Sequence, residues 1–183
     1  MKKFTGSIQY SAPNIRRLST VLYRCFSSKQ RRNILLCSAG LMIGGVVAGG
    51  TSTVSVLCIV FGCILLSNIN YPASSVAKRT IKALNGNYPL MNYIFYSDYF
   101  SGNSGKEKKQ IKYNELIKIV DDGKFLYLCP NTGSAYMVDK RTIAPYDIGA
   151  FKELISKSSS LHWARPGQAG FSKIIAFLKK NTK

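Results

Sequence analysis

Residues 33–70 run almost without interruption through apolar side chains, NILLCSAGLMIGGVVAGG followed by TSTVSVLCIVFGCILLSNIN, broken only by small and hydroxyl residues. One continuous helix over residues 34–69 would be about 54 Å long at 1.5 Å per residue, against a hydrocarbon core of roughly 30 Å. Gly49, Gly50, Thr51 and Ser52 fall near its midpoint, where a reversal costs least. The pattern therefore predicts a transmembrane helical hairpin with legs over 33–49 and 53–70. A hairpin buried in a soluble domain is the alternative, but that domain would have to wrap both helices and still leave neither with a charge.

The flanks carry different periods. Residues 4–10 alternate as a short strand, and Pro13 opens a helix whose Ile15, Leu18, Leu22 and Phe26 share one face, with Arg16, Arg17 and Arg24 elsewhere. After the hairpin, residues 72–85 read as a helix with Val76, Ile81 and Leu84 inward and Gly86 as its stop. Strands are expected over 88–96, 99–102, 110–113, 116–120, 125–129 and 134–138, punctuated by Gly102 to Gly105, Asp122-Gly123 and Pro130 to Gly133. A helix over 148–158, with Ile148, Phe151, Leu154 and Ile155 on one face, supplies the cap such a meander needs. The expected class is an α+β membrane protein. Its parts are a strand and basic helix (1–32), the hairpin (33–70), an antiparallel sheet closed by a C-terminal helix (71–158), and a basic amphipathic tail (159–183). In that tail Phe171, Ile174, Ile175 and Leu178 share a face.

Charge sharpens this division. The 183 residues hold 26 Lys and Arg against 8 Asp and Glu, a net charge of +18 on a chain that is 46% hydrophobic. That hydrophobic content excludes a disordered basic tail, and the length excludes a multidomain enzyme. Residues 33–77 carry no charge, while Arg24, Lys29, Arg31 and Arg32 precede the first leg and Lys78, Arg79 and Lys82 follow the second. The positive-inside rule then places both termini in the cytoplasm, making this a multi-pass protein of the inner or plasma membrane. Gly40 and Gly44, then Gly45 and Gly49, are spaced for close helix approach, within the hairpin or between two copies of the chain.

Candidate chemistry is sparse. Cys25, Cys37, Cys58, Cys63 and Cys129 form no CxxC pair, and His162, beside Trp163, is the sole histidine, so a structural zinc site or a Ser-His-Asp triad lacks its usual members. Asp121 and Asp122 precede Gly123 and read as turn chemistry. No cofactor, metal or catalytic residue is expected.

The run IKYNELIKIVDDGKFLYLCPNTGSAYMVDKRTI with FKELI after it resembles the C-terminal module of the YcxB-like proteins, bacterial membrane proteins with a hairpin. The likeness is carried by Tyr96, Asp98, Tyr99 and Phe100; by Tyr113, Ile117 and Val120; by Phe125, Leu126 and Tyr127; and by Ala135, Tyr136 and Lys140, with Asp139 where the family tends to have Pro. The resemblance implies a PH-like fold, a bent antiparallel sheet closed by a C-terminal helix on a two-helix anchor, and no established chemistry.

The functional expectation is a non-enzymatic membrane protein whose cytoplasmic domain binds a protein partner or anionic lipid headgroups, in signalling or in immunity and self-protection. Lys106, Lys108, Lys109 and Lys112, together with Lys173, Lys179 and Lys180 of the tail, are the candidate contacts, each worth about 1 kcal/mol on an anionic surface. A membrane-tethered nucleic-acid binder is the alternative, prompted by charge and interleaved aromatics.

Overall fold

The computed structural model describes residues 4–49, 52–105 and 108–166. It is an α+β structure with two four-stranded sheets. Lys106, the tail helix and Lys173, Lys179 and Lys180 lie outside the described residues.

The first sheet is built from β1 (Phe4–Gln9), β2 (Leu90–Phe95), β3 (Tyr99–Asn103) and β4 (Lys108–Lys112), antiparallel and in that order. β1 pairs over its whole length with β2, from Phe4 opposite Phe95 to Gln9 opposite Leu90. Alternation drives it: Phe4, Gly6 and Ile8 point to one face, and Phe4 and Ile8 are almost wholly buried. The other edge of β1 is also used. Thr5 and Ala144 exchange backbone hydrogen bonds of 2.8 and 2.9 Å, and Thr142 Oγ1 both accepts from the Ser7 amide and donates to the Ser7 carbonyl, each at 2.8 Å. The chain's first strand is therefore part of the sheet that follows the hairpin. It is sewn between the sheet that follows the hairpin and the segment that follows the last antiparallel strand.

The second sheet runs β7 (Tyr136–Asp139), β6 (Phe125–Cys129), β5 (Lys118–Asp121), β8 (Trp163–Ala164). β6, FLYLC, is buried at every position, so it lacks the alternation of a half-exposed strand. β8 departs from the expected all-antiparallel meander, because it pairs parallel to β5, with Ile119 opposite Trp163. The indole of Trp163, half-buried beside His162, donates from Nε1 to the Lys152 carbonyl at 3.0 Å. Asp139, where the resemblance expects Pro, ends β7 by accepting from the Arg141 amide at 3.0 Å.

The helix α5 (Ile148–Ser159) closes the structure, capped by Asp147, which accepts from the Ala150 amide at 2.9 Å. Phe151 and Ile155 are its buried residues. Phe151 stacks edge-on against Phe95 (4.7 Å between centroids) and Phe4 (5.5 Å), joining strands that are 91 residues apart in sequence. Phe95→Ala should lower unfolding free energy by about 3–5 kcal/mol in denaturant titration, because the site is fully enclosed. Tyr146→Ala, on an exposed ring, should change it by less than about 0.5 kcal/mol.

Candidate membrane-facing site

Between β1 and β2 the chain makes a long excursion through four helices: α1 (Ala12–Phe26), α2 (Ser28–Val47), α3 (Thr53–Ser67) and α4 (Tyr71–Leu84). Because β1 and β2 are neighbours in one sheet, this excursion must end near where it starts. α1 begins at the Ser11 cap, which accepts from the Asn14 amide, with Pro13 in the first turn. α4 packs beside α1, with Ala73 and Ala77 buried, and ends at Asn85 in the left-handed conformation (φ 44°) rather than at Gly86 itself.

α2 and α3 form the hairpin, and their seam is made of small and hydroxyl residues. Ser38 Oγ donates to the Gly62 carbonyl at 2.7 Å, and a side chain at Gly62 or Gly45 would collide with Met42 or Ile59. Of the expected small-residue positions, only Gly45 serves this packing: a side chain at Gly40, Gly44 or Gly49 would meet nothing within 4 Å. The turn takes Gly49 at φ +99° and Ser52 as the cap of α3. Its hydroxyls are satisfied locally, Ser52 with Ser55, and Ser55 also with the Ala48 carbonyl. The outward faces are apolar: Leu36, Ile43, Val47, Val54, Leu57 and Phe61 are each at least 50% exposed.

Turn and caps shorten the legs. Counted from Asn33, the charge-free part of α2 is about 22 Å long and α3 is also about 22 Å, both below the roughly 30 Å hydrocarbon thickness. Among the described residues no single helix is long and apolar enough to cross a membrane, although the pair Thr53–Ser67 and Tyr71–Leu84, bent by 45°, meets the requirement together.

The base of the hairpin is basic. No acidic residue occurs before Asp98. Lys29 and Arg32 on α2 and Lys78, Arg79 and Lys82 on α4 are all exposed around it. Between α1 and α4 lies an apolar groove of about 570 Å³ bounded by Leu18, Leu22, Val76 and Leu84, where the buried Tyr23 hydroxyl has no partner among the described residues. Lys108, Lys109 and Lys112 sit elsewhere, exposed on β4 at the free edge of the first sheet, where lysines also blunt edge-to-edge association.

α1 is fastened to the second sheet by the Asp121-Asp122 turn. Asp122 accepts from Arg17 Nε at 2.7 Å, the Tyr127 hydroxyl at 2.6 Å and the Phe125 amide at 2.8 Å. Asp121 accepts from Lys140 Nζ at 2.6 Å and Lys152 Nζ at 2.8 Å, tying β5 to the turn after β7 and to α5. Lys118 Nζ reaches the Cys25 carbonyl at 3.1 Å, at the negative end of the α1 dipole. Turn chemistry was legible in Asp-Asp-Gly; the distant cations that make the pair a clamp were not. At the opposite end of the β5–β6 ladder, where Cys129 faces Lys118, burial pushes the Cys129 thiol pKa up to about 12, so it stays protonated. Desolvation acts to raise the Asp121 pKa, but hydrogen bonds from Lys140 and Lys152 outweigh it and hold the carboxyl at about 2.

Comparison with family models, curated proteins and solved structures finds no match to the chain.

Because the Asp121 pKa is depressed in the fold, its contribution to stability is complete above the unfolded value of about 4 and is lost as pH falls through about 2. Unfolding midpoints at pH 5 and pH 2 should therefore differ more for the native chain than for Asp121→Asn. The excess should be roughly 1 kcal/mol for a partly screened pair.

Proposed function

We propose that this is a non-enzymatic membrane-anchored protein whose hairpin inserts into a bilayer from the side of its α+β domain, and whose domain engages anionic lipid headgroups there. One observation carries the reading. Both legs turn large apolar side chains outward, while Ser38, Gly45 and Gly62 pack in the seam and Ser52 and Ser55 pair at the turn, the arrangement lipid favours and water does not. Towards the tip the Ala48 and Gly49 amides donate to the Gly44 and Val46 carbonyls and the Ser55 hydroxyl donates to the Ala48 carbonyl, bonds within the hairpin of the kind a hydrocarbon environment demands.

The basic ring at the hairpin base supports a location on the cytoplasmic face of the inner or plasma membrane, with both termini on that side. The short legs are accommodated by local thinning of the bilayer and by snorkelling of Arg31 and Arg32, at a fraction of a kcal/mol per Å of mismatch. The apolar groove at the base continues the lipid-facing surface towards the domain. Placement of the cations favours lipid over nucleic acid, since the acid-free half of the chain gathers them around the hairpin rather than along one face of a sheet. The two sheets and closing helix are also in keeping with a PH-like module of the YcxB-like type.

Membrane-fraction protein should resist extraction at pH 11. Leu57→Lys with Phe61→Lys, two outward-facing positions on α3, should release it into the soluble fraction, since each charge costs about 2.5–3.5 kcal/mol at a helix centre in lipid. Native protein that leaves the membrane under carbonate would end the anchor reading.

A further inference from the structure

We propose that the polar cleft between α1 and the β5–β6 turn is a binding site for a phosphate monoester dianion. It deepens the headgroup reading above and moves the contact from the lysines of β4 to the arginines of α1. The cleft has a volume of about 920 Å³ and runs to Arg165 and Pro166, just beyond β8. Five cationic side chains and two carboxylates line it. Both carboxylates are already taken. Asp122 is held by Arg17 and Tyr127, and Asp121 by Lys140 and Lys152, the last from outside the cleft.

That leaves Arg16, Arg24 and Arg165 with no carboxylate within ion-pairing distance among the described residues. Arg16, Thr20 and Arg24 recur every four residues, so they form one stripe along α1 about 12 Å long. Within that stripe the Nε of Arg24 is buried and has no hydrogen-bond partner among the described residues, an unusual state for a guanidinium. Arg24 also stands four residues before the start of α2, at the point where the chain turns into the hairpin.

Charge and geometry select the ligand. Three unneutralised guanidinium groups around one cleft match a group carrying close to two negative charges and three terminal oxygens. A phosphodiester, with one charge and two free oxygens, satisfies fewer of their donors. A lipid such as phosphatidic acid and a free metabolite ester present the same monoester, and the cleft chemistry reads that shared group.

Calorimetric titration of the full chain in dodecylmaltoside micelles distinguishes the sources, using dioctanoyl phosphatidic acid, glycerol 3-phosphate and the diester dioctanoyl phosphatidylglycerol. Phosphatidic acid should bind at least tenfold more tightly than phosphatidylglycerol. Equal binding of glycerol 3-phosphate would assign the site to a free ester, and weaker binding would assign it to a membrane lipid. Arg16→Gln with Arg24→Gln and Arg165→Gln should weaken the monoester at least tenfold with an unchanged unfolding midpoint, while Lys108→Gln with Lys109→Gln and Lys112→Gln should not. No monoester binding, no preference over the diester, or a loss confined to the lysine variant would overturn the inference. Carbonate extraction stands apart: a chain that resists it yet binds no monoester keeps its anchor and loses this site, and the opposite pair of results does the reverse.

Discussion

Pairing of β1 on both of its edges is the constraint from which the rest of the structure follows. Its partner β2 begins more than eighty residues later, so closing that ladder carries a loop-closure cost that local contacts do not recover. The cost is offset by burial of Phe4 and Ile8 and by the contact of Phe4 with Phe151. Once β1 lies between β2 and the 142–144 segment, everything between β1 and β2 must leave and return on one side of the sheet. A hairpin is the economical solution. That both ends of the apolar segment share a side follows from strand adjacency, and the distribution of lysine and arginine points the same way independently.

The electrostatics follow from the same geometry. α1 leads directly into the hairpin and has no acidic residue of its own, so Asp122, in the turn after β5, supplies the carboxylate that holds it. Asp121 and Asp122 each take more than one donor, and they fix α1, β7 and α5 around a single turn. Two carboxylates cannot neutralise every cation brought to that place. The surplus arginines of α1 are thus a consequence of fastening a basic helix to a turn with only two acids, and they leave a positively lined cleft at the hairpin base.

Local signals in the sequence were read well where the physics is local. β6 was legible to the residue because an unbroken FLYLC between two turns has few other solutions, and α5 because Phe151 and Ile155 keep a helical period. The hairpin turn was legible in its glycines, but its caps took residues expected in the legs, so the apolar helices came out shorter. β8 is not legible in the sequence, because two residues carry no periodicity and its register depends on β5, 44 residues earlier. The double pairing of β1 and the cations on Asp121 were missed for a related reason: neither partner is near in sequence, and without an alignment nothing marks the pair. Arg16 and Arg24 are legible on the polar side of α1, but the two acids that define the rest of the cleft lie about a hundred residues away in sequence.

Residues 33–67 are an excursion between β1 and β2, from a domain that should close without them. That closure is tested most directly by replacing the segment with a short flexible linker and following amide hydrogen exchange. The shortened chain should be a soluble monomer in which hydrogen-bonded amides of β1, such as that of Thr5, exchange as slowly as those of β2. Free exchange along β1 in an otherwise folded domain, or a shortened chain that still sediments with membranes, would contradict it.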